Sequence, residues 1–194
     1  MFGLVFAVAG EWAAGDAVYR FDGWAEAAFV GEDRQQYVFA RYFLQKKGLT
    51  GNFIDRSCPS GRQAGEQYVR ERYAAEVKAY RSKNYLNICL IVVIDADRNT
   101  IAERIKQLDS VLEEKRHHKE KIAIFVPKIN IETWIHYLQS GETIDEIVAY
   151  SKLANQGECK PFVEKLVDHC VQGLPSNAPL SMHDACMELK RIIE

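Results

Sequence analysis

Four acidic side chains fall just beyond apolar segments: Glu32 after Ala27–Gly31, Asp95 and Asp97 after Leu86–Ile94, and Glu132 a few residues past Lys121–Val126. Carboxylates brought together repel unless a proton or a cation neutralises them. Their hard oxygens suit Mg2+ or Mn2+. A cation held this way can grip a nonbridging phosphate oxygen, activate water and stabilise a leaving oxygen, which is the chemistry of phosphodiester hydrolysis. Lys128, four residues before Glu132, is placed to offset developing phosphate charge, or else is an ordinary surface lysine. A fifth acid, Glu103, stands three residues after Thr100, the spacing of a capping box that needs no ligand role. Taken singly, each acid also reads as a helix cap or a solvated turn residue.

The segments that would carry these acids alternate in type. Ala27–Gly31 reads as a short buried strand, and Gln35–Lys47 as a helix closed by Gly48 in a left-handed conformation. Asn52–Asp55 is a second strand, followed by the turn-rich loop Ser57–Arg62 and a helix over Gln63–Lys83. Leu86–Ile94 is continuous, β-branched and apolar, as a strand buried on both faces should be. Ile101, Ile105, Leu108 and Leu112 mark an amphipathic helix, and Lys121–Val126 another buried strand broken by Pro127. Helices are expected beyond it over Ile131–Gln139, Thr143–Tyr150, Pro161–Val171 and Ser181–Ile193. Alternating strands and helices imply an α/β fold with a parallel sheet flanked by helices and a helical C-terminal extension. The expected organisation is an N-terminal extension over 1–26, an α/β domain over 27–139 and helices over 140–194 packed on that same domain. Ligands of such sheets collect at the carboxyl ends of the strands, where all four acids stand.

The 194 residues carry a net charge of -2 with 47% hydrophobic residues, the composition of an ordinary globular domain. The charge is unevenly spread. Residues 1–33 hold one base and six acids, residues 34–131 nineteen bases and eleven acids, and residues 132–194 five bases and ten acids. The basic middle suits a polyanion, and Arg56 and Arg62 are the arginines expected to meet its backbone. The apolar run Ile88–Ile94 is far short of the ~20 residues that span a bilayer. The opening MFGLVFAVAG lacks the basic start of a secretory signal. Five cysteines, odd in number and without a CxxC pair, are expected as free thiols in a reducing, cytoplasmic setting. His117-His118 and the Cys159, His169 and Cys170 group lack zinc spacing. Walker A, dinucleotide-binding and nucleophile-elbow motifs are absent.

A strand ending in Gly31-Glu32, followed some sixty residues later by a hydrophobic strand ending in Asp95-Ala96-Asp97, resembles the Toprim domain over roughly Ala27–Gln139. The segment Ile129–Trp134 is similar to small stand-alone Toprim-like proteins encoded beside ATPases in bacterial defence or mobile loci. The resemblance implies that Glu32 is a metal ligand or general acid/base and that Asp95 and Asp97 are ligands of Mg2+ or Mn2+. Glu103 would lie near a further acid of the OLD (overcoming-lysogenization-defect) nucleases. One position departs: many of those nucleases carry Asp four residues after the glutamate, where this chain has Gln36, with Asp33 the nearest substitute.

The resemblance therefore implies a metal-dependent nuclease with DNA or RNA as substrate, an ATPase partner and a role in anti-phage or mobile-element systems, with homo-oligomerisation left open. Two other functions compete: a non-catalytic Toprim-like binding subunit, and a phosphatase of the haloacid dehalogenase type using Asp95 as nucleophile. In the phosphatase case Asn99 stands where Thr or Val is usual.

Overall fold

The computed structural model describes residues 26–49, 51–61 and 63–193. The N-terminal extension expected over 1–26 lies outside them apart from Glu26, and so does Arg62. Four parallel strands form one sheet in the order β2-β1-β3-β4: β1 Glu26–Gly31, β2 Asn52–Ser57, β3 Ile88–Val93 and β4 Ile122–Phe125. Six α-helices accompany them: α1 Arg34–Lys46, α2 Gly65–Arg81, α3 Ile101–Asp109, α4 Ile131–Ser140, α5 Lys160–Gln172 and α6 Leu180–Ile193. This is the expected α/β fold with a helical C-terminal part.

The period-2 alternation of the strands divides the core into two layers. Ala27, Phe29, Cys89, Ile91, Val93, Ala123 and Phe125 face one side, packed with Phe39, Phe43, Trp134, Leu166 and Leu189. Val30, Leu90, Val92, Ile94, Ile122 and Ile124 face the other, against Val69, Tyr73, Val77 and Leu108. The first layer belongs to α1, α4, α5 and α6, the second to α2 and α3. Residues of β3 are buried throughout, which explains its uninterrupted apolar run.

Each strand that leads to the site hands the chain to a capped helix. Asp33 caps α1 by accepting from Gln36 N–H at 3.0 Å, Asn130 caps α4, and Thr100 and Glu103 form the reciprocal capping box of α3. Such caps satisfy otherwise orphaned N–H groups. They also fix loops at one edge of the sheet.

α6 covers the outer edge of β4, where Glu188 Oε2 accepts from Ile124 N–H at 2.9 Å. Arg116, almost fully buried, donates to the Ile122 carbonyl at 3.1 Å and to Glu188 at 2.6 Å. An open strand edge is thereby paired by side chains. Trp134 Nε1–H donates to Ser181 Oγ at 2.8 Å and ties α4 to α6.

Two expectations are corrected. The helix expected over Thr143–Tyr150 is absent: α4 ends at Gly141 in a left-handed conformation, and turns follow. Asp145 Oδ1 accepts from Ile147 N–H and Glu146 accepts from the start of α6, so these side chains serve turns and caps while Ile147 and Val148 face solvent. Second, the cysteines are not all free. Cys170 on α5 and Cys186 on α6, with Cα atoms 5.4 Å apart, form a disulfide, while Cys58, Cys89 and Cys159 are free. Packing of neighbouring helices brings together residues whose spacing gave no pairing signal. No helix among the described residues is long and apolar enough to cross a membrane.

Candidate functional site

Glu32 and Asp95 meet at the carboxyl ends of the adjacent strands β1 and β3. Glu32 Oε1 accepts from Asp95 N–H at 2.6 Å. Gln36, one helical turn beyond Glu32 and almost fully buried, closes the unit: its Oε1 accepts from Glu32 N–H at 2.8 Å and its Nε2 donates to Asp95 Oδ1 at 2.9 Å. The position that departs from the OLD pattern is thus built into the pair. Gln36 lies on the buried face of α1 with Ala40 and Phe43, and a polar residue on an apolar face was the available signal. Gly65, at the start of α2, passes so close to Glu32 that a Cβ there would lie 2.6 Å from Glu32 Cβ.

Electrostatics agree with the geometry. Burial, with Asp97 and Glu66 adding repulsion, pushes the Glu32 carboxyl up to about 7, although the Asp95 N–H and Arg104 oppose the shift. Asp95 is raised well above the usual carboxylate range by burial and by Glu32, Asp33, Asp97 and Glu132. These are the properties of carboxylates that take a proton or a cation at neutral pH.

Asp97 has φ +52°, the one non-glycine residue with positive φ among the described residues. Asp tolerates the left-handed region better than most residues, and such conformations gather at ligand sites. Its carboxylate, half exposed, pairs with Arg104 at 3.3 Å. Arg104 is 2% exposed and also bonds Glu66, Gln107 and the Ala96 carbonyl. It was missed in the sequence, yet it stands on the α3 stripe three residues after Ile101 and four before Leu108, where an arginine is out of pattern.

Glu132 lies in the first turn of α4, buried, and its Oε1 has no hydrogen-bond partner. Burial and Asp33 raise its carboxyl. Lys152, also missed, reaches in from the chain between α4 and α5 and pairs with Asp33 Oδ2 at 2.9 Å.

The remaining candidates stand elsewhere. Glu103 is spent on the Thr100 cap, whose hydrogen bonds hold its carboxyl below the usual range. Lys128 donates to the Asn99 carbonyl, joining the β4 and β3 loops. Arg56 sits on β2 with Glu76 at 3.8 Å and lines a separate hollow with Tyr80 and Lys83. The open cleft beside Glu32, about 590 Å3, is lined instead by Asp33, Arg34, Asp55, Ser57 and Cys58. Arg34 pairs with Asp55 across it.

Glu32 and Asp95 each commit one oxygen to a protein donor, and the donor set is all hard oxygen, which fits Mg2+ or Mn2+. As they stand, no group of three His, Cys, Asp or Glu among the described residues is arranged to hold a metal ion. Asp97, the third acid at these strand ends, pairs with Arg104. No protein-family model, curated protein or solved structure matches this chain.

Proposed function

We propose that this chain is a divalent-metal-dependent, Toprim-like nuclease. The observation that carries the reading is the Glu32–Gln36–Asp95 unit: two carboxyls locked side by side at adjacent strand ends, both raised above their ordinary range. Glu32, Asp95 and Asp97 would hold Mg2+ or Mn2+, with Glu132 behind them. Bound there, the ion supplies Lewis-acid polarisation of a phosphate oxygen and an activated water. Gln36 keeps Asp95 and Glu32 in register. Without an ion the Glu32 carboxyl is pushed up to about 7 by burial, so it is suited either to give up its proton to the ion or to carry one at neutral pH. Arg34 at the mouth of the cleft, with Lys152 beside Asp33, offers positive charge to a DNA or RNA backbone. An ATPase partner and a place in anti-phage or mobile-element systems belong to the same proposal and rest on the resemblance alone; a cytoplasmic location rests on the odd, unpaired pattern of the cysteines, against which the Cys170–Cys186 disulfide stands.

The test is incubation of the purified protein with plasmid DNA and single-stranded RNA in Mg2+, Mn2+ or chelator. Cation-dependent cutting that falls at least ~100-fold in Asp95→Asn is expected, from loss of a principal ligand. Cutting that survives chelator or that substitution overturns the reading.

A second reading, a non-catalytic binding subunit, draws on the Asp97–Arg104 pair, which engages one of the three acids within the protein. The phosphatase reading is less well supported. Asn99 stands where that type usually has Thr or Val, and a whole strand–helix unit with Glu32 precedes the Asp95-Ala96-Asp97 segment.

A further inference from the structure

α6 covers the edge of β4 with one face and leaves the other bare. Met182, Ala185, Leu189 and Ile192 are buried on the inner face. Leu180, Asp184, Met187 and Lys190, three or four residues apart, line the outer one. All four are exposed, Leu180 at 73% and Met187 at 62%.

Two neighbouring segments extend this apolar surface. Glu146 accepts from Leu180 N–H at 2.9 Å and so brings the exposed pair Ile147 and Val148 to the start of α6. The Cys170–Cys186 bridge brings exposed Val171, at the end of α5, to the middle of α6 where Met187 stands. Among the described residues eight large apolar side chains are exposed, and five of them gather here. Such gathering marks an interaction surface, whereas single exposed apolar residues need no explanation.

The charges on the face show what fits it. Glu188 and Arg191 are spent within the chain: Glu188 holds Ile124 N–H and Arg116, and Arg191 pairs with Glu188 and donates to the His117 carbonyl. Asp184 and Lys190 form no ion pair among the described residues. They stand three residues to either side of Met187. Turned antiparallel on itself, the face brings the Asp184 end of each helix to the Lys190 end of the other. A parallel pairing sets like charge on like and is disfavoured. The face is thus complementary to itself, as a two-fold interface must be.

We infer that the outer face of α6 is the interface of a symmetric dimer, in which α6 of a second copy packs antiparallel with Met187 at the centre and Asp184 of each copy against Lys190 of the other. A single helix face is narrow for a stable interface, which buries about 1,200–2,000 Å2 in total. Ile147, Val148 and Val171 widen this one, and the disulfide fixes it before the partner arrives. The inference does not draw on the proposed metal site.

Sedimentation velocity of the whole chain in chelator, from about 1 to 100 µM protein, tests it. Wild type is expected to dimerise within that range. Met187→Glu, which sets two like charges at the centre, is expected to remain monomeric. Asp184→Lys and Lys190→Glu should each weaken the dimer ~tenfold, because symmetry counts each change twice. Asp184→Lys/Lys190→Glu, which exchanges the signs of both partners, should return to within about threefold of wild type. All the substituted side chains are exposed, so the core is spared, and circular dichroism verifies the fold. Wild type monomeric throughout, which leaves the face to a different partner, overturns the inference. So does a dimer that survives Met187→Glu, or a double variant no tighter than the single ones.

Discussion

The side-chain amide of Gln36 donates to Asp95 Oδ1 across 2.9 Å while its carbonyl holds the Glu32 backbone N–H, so one glutamine spans Glu32 and Asp95. Gln36→Leu, close in volume, leaves an acceptor and a donor unpaired in a buried place. A loss of roughly 2–4 kcal/mol in urea unfolding is expected. Gln36→Glu adds a fourth charge to the crowd; it should be less stable than wild type at pH 8 without cations and recover more of that loss than wild type gains when millimolar Mn2+ is added.

The raised Glu32 carboxyl fixes the direction of a pH effect. Folded, it keeps its proton to about pH 7, whereas unfolded it releases it near the ordinary 4.5. Its contribution to stability is whole below that lower value and is lost as pH rises through 7. The slope is at most about 1.4 kcal/mol per pH unit from this one group, and Asp95 and Glu132 act in the same sense. Urea midpoints between pH 5 and 8 should fall with rising pH, fall less in Glu32→Gln, and fall less when Mn2+ is present.

Gly65→Ala tests the approach of α2 to Glu32. The added methyl would lie 2.6 Å from Glu32 Cβ and 2.9 Å from its carbonyl oxygen, so the backbone must move. We expect a cost of about 1–3 kcal/mol and Mn2+ affinity weakened ~tenfold, the effect of about 1.4 kcal/mol at the ligand. Gly141→Ala, which meets no neighbouring atom but sits at φ +70°, should lose about 1 kcal/mol of stability and keep its Mn2+ affinity.

The Cys170–Cys186 bridge closes a sequence separation of 16 residues. By chain entropy its removal in Cys170→Ser/Cys186→Ser costs about 3 kcal/mol. Calorimetry should show a lower melting temperature for the variant, and dithiothreitol should shift wild type alone.

Strands and their acids were legible because burial on both faces leaves unbroken apolar runs in β3 and β4, and the start of α3 because the Thr100–Glu103 capping box uses a short vocabulary; the caps Asp33 and Asn130 emerged only in the fold. Segment 143–150 misled because Ile144, Ile147 and Val148 repeat at helical spacing, while Asp145 and Glu146 spend their side chains on turns and on the start of α6. Arg104 was visible only as a polar residue on an apolar stripe, and Gln36 was named as a departure from the nuclease pattern with nothing to show that it bridges Glu32 and Asp95. Lys152 left no mark, since a long loop and two contacts with α4 bring it to Asp33. Local periodicity encodes elements; which loop folds back over which strand end is a tertiary matter.

The most direct test of the account is a crystal of the protein soaked in Mn2+ and measured for anomalous scattering. An anomalous peak coordinated by Glu32 and Asp95, with Asp97 drawn off Arg104 to join them, is the predicted result. Glu32, Gln36 and Asp95 unchanged in saturating Mn2+, with Asp97 still on Arg104 and no peak between the acids, would contradict it.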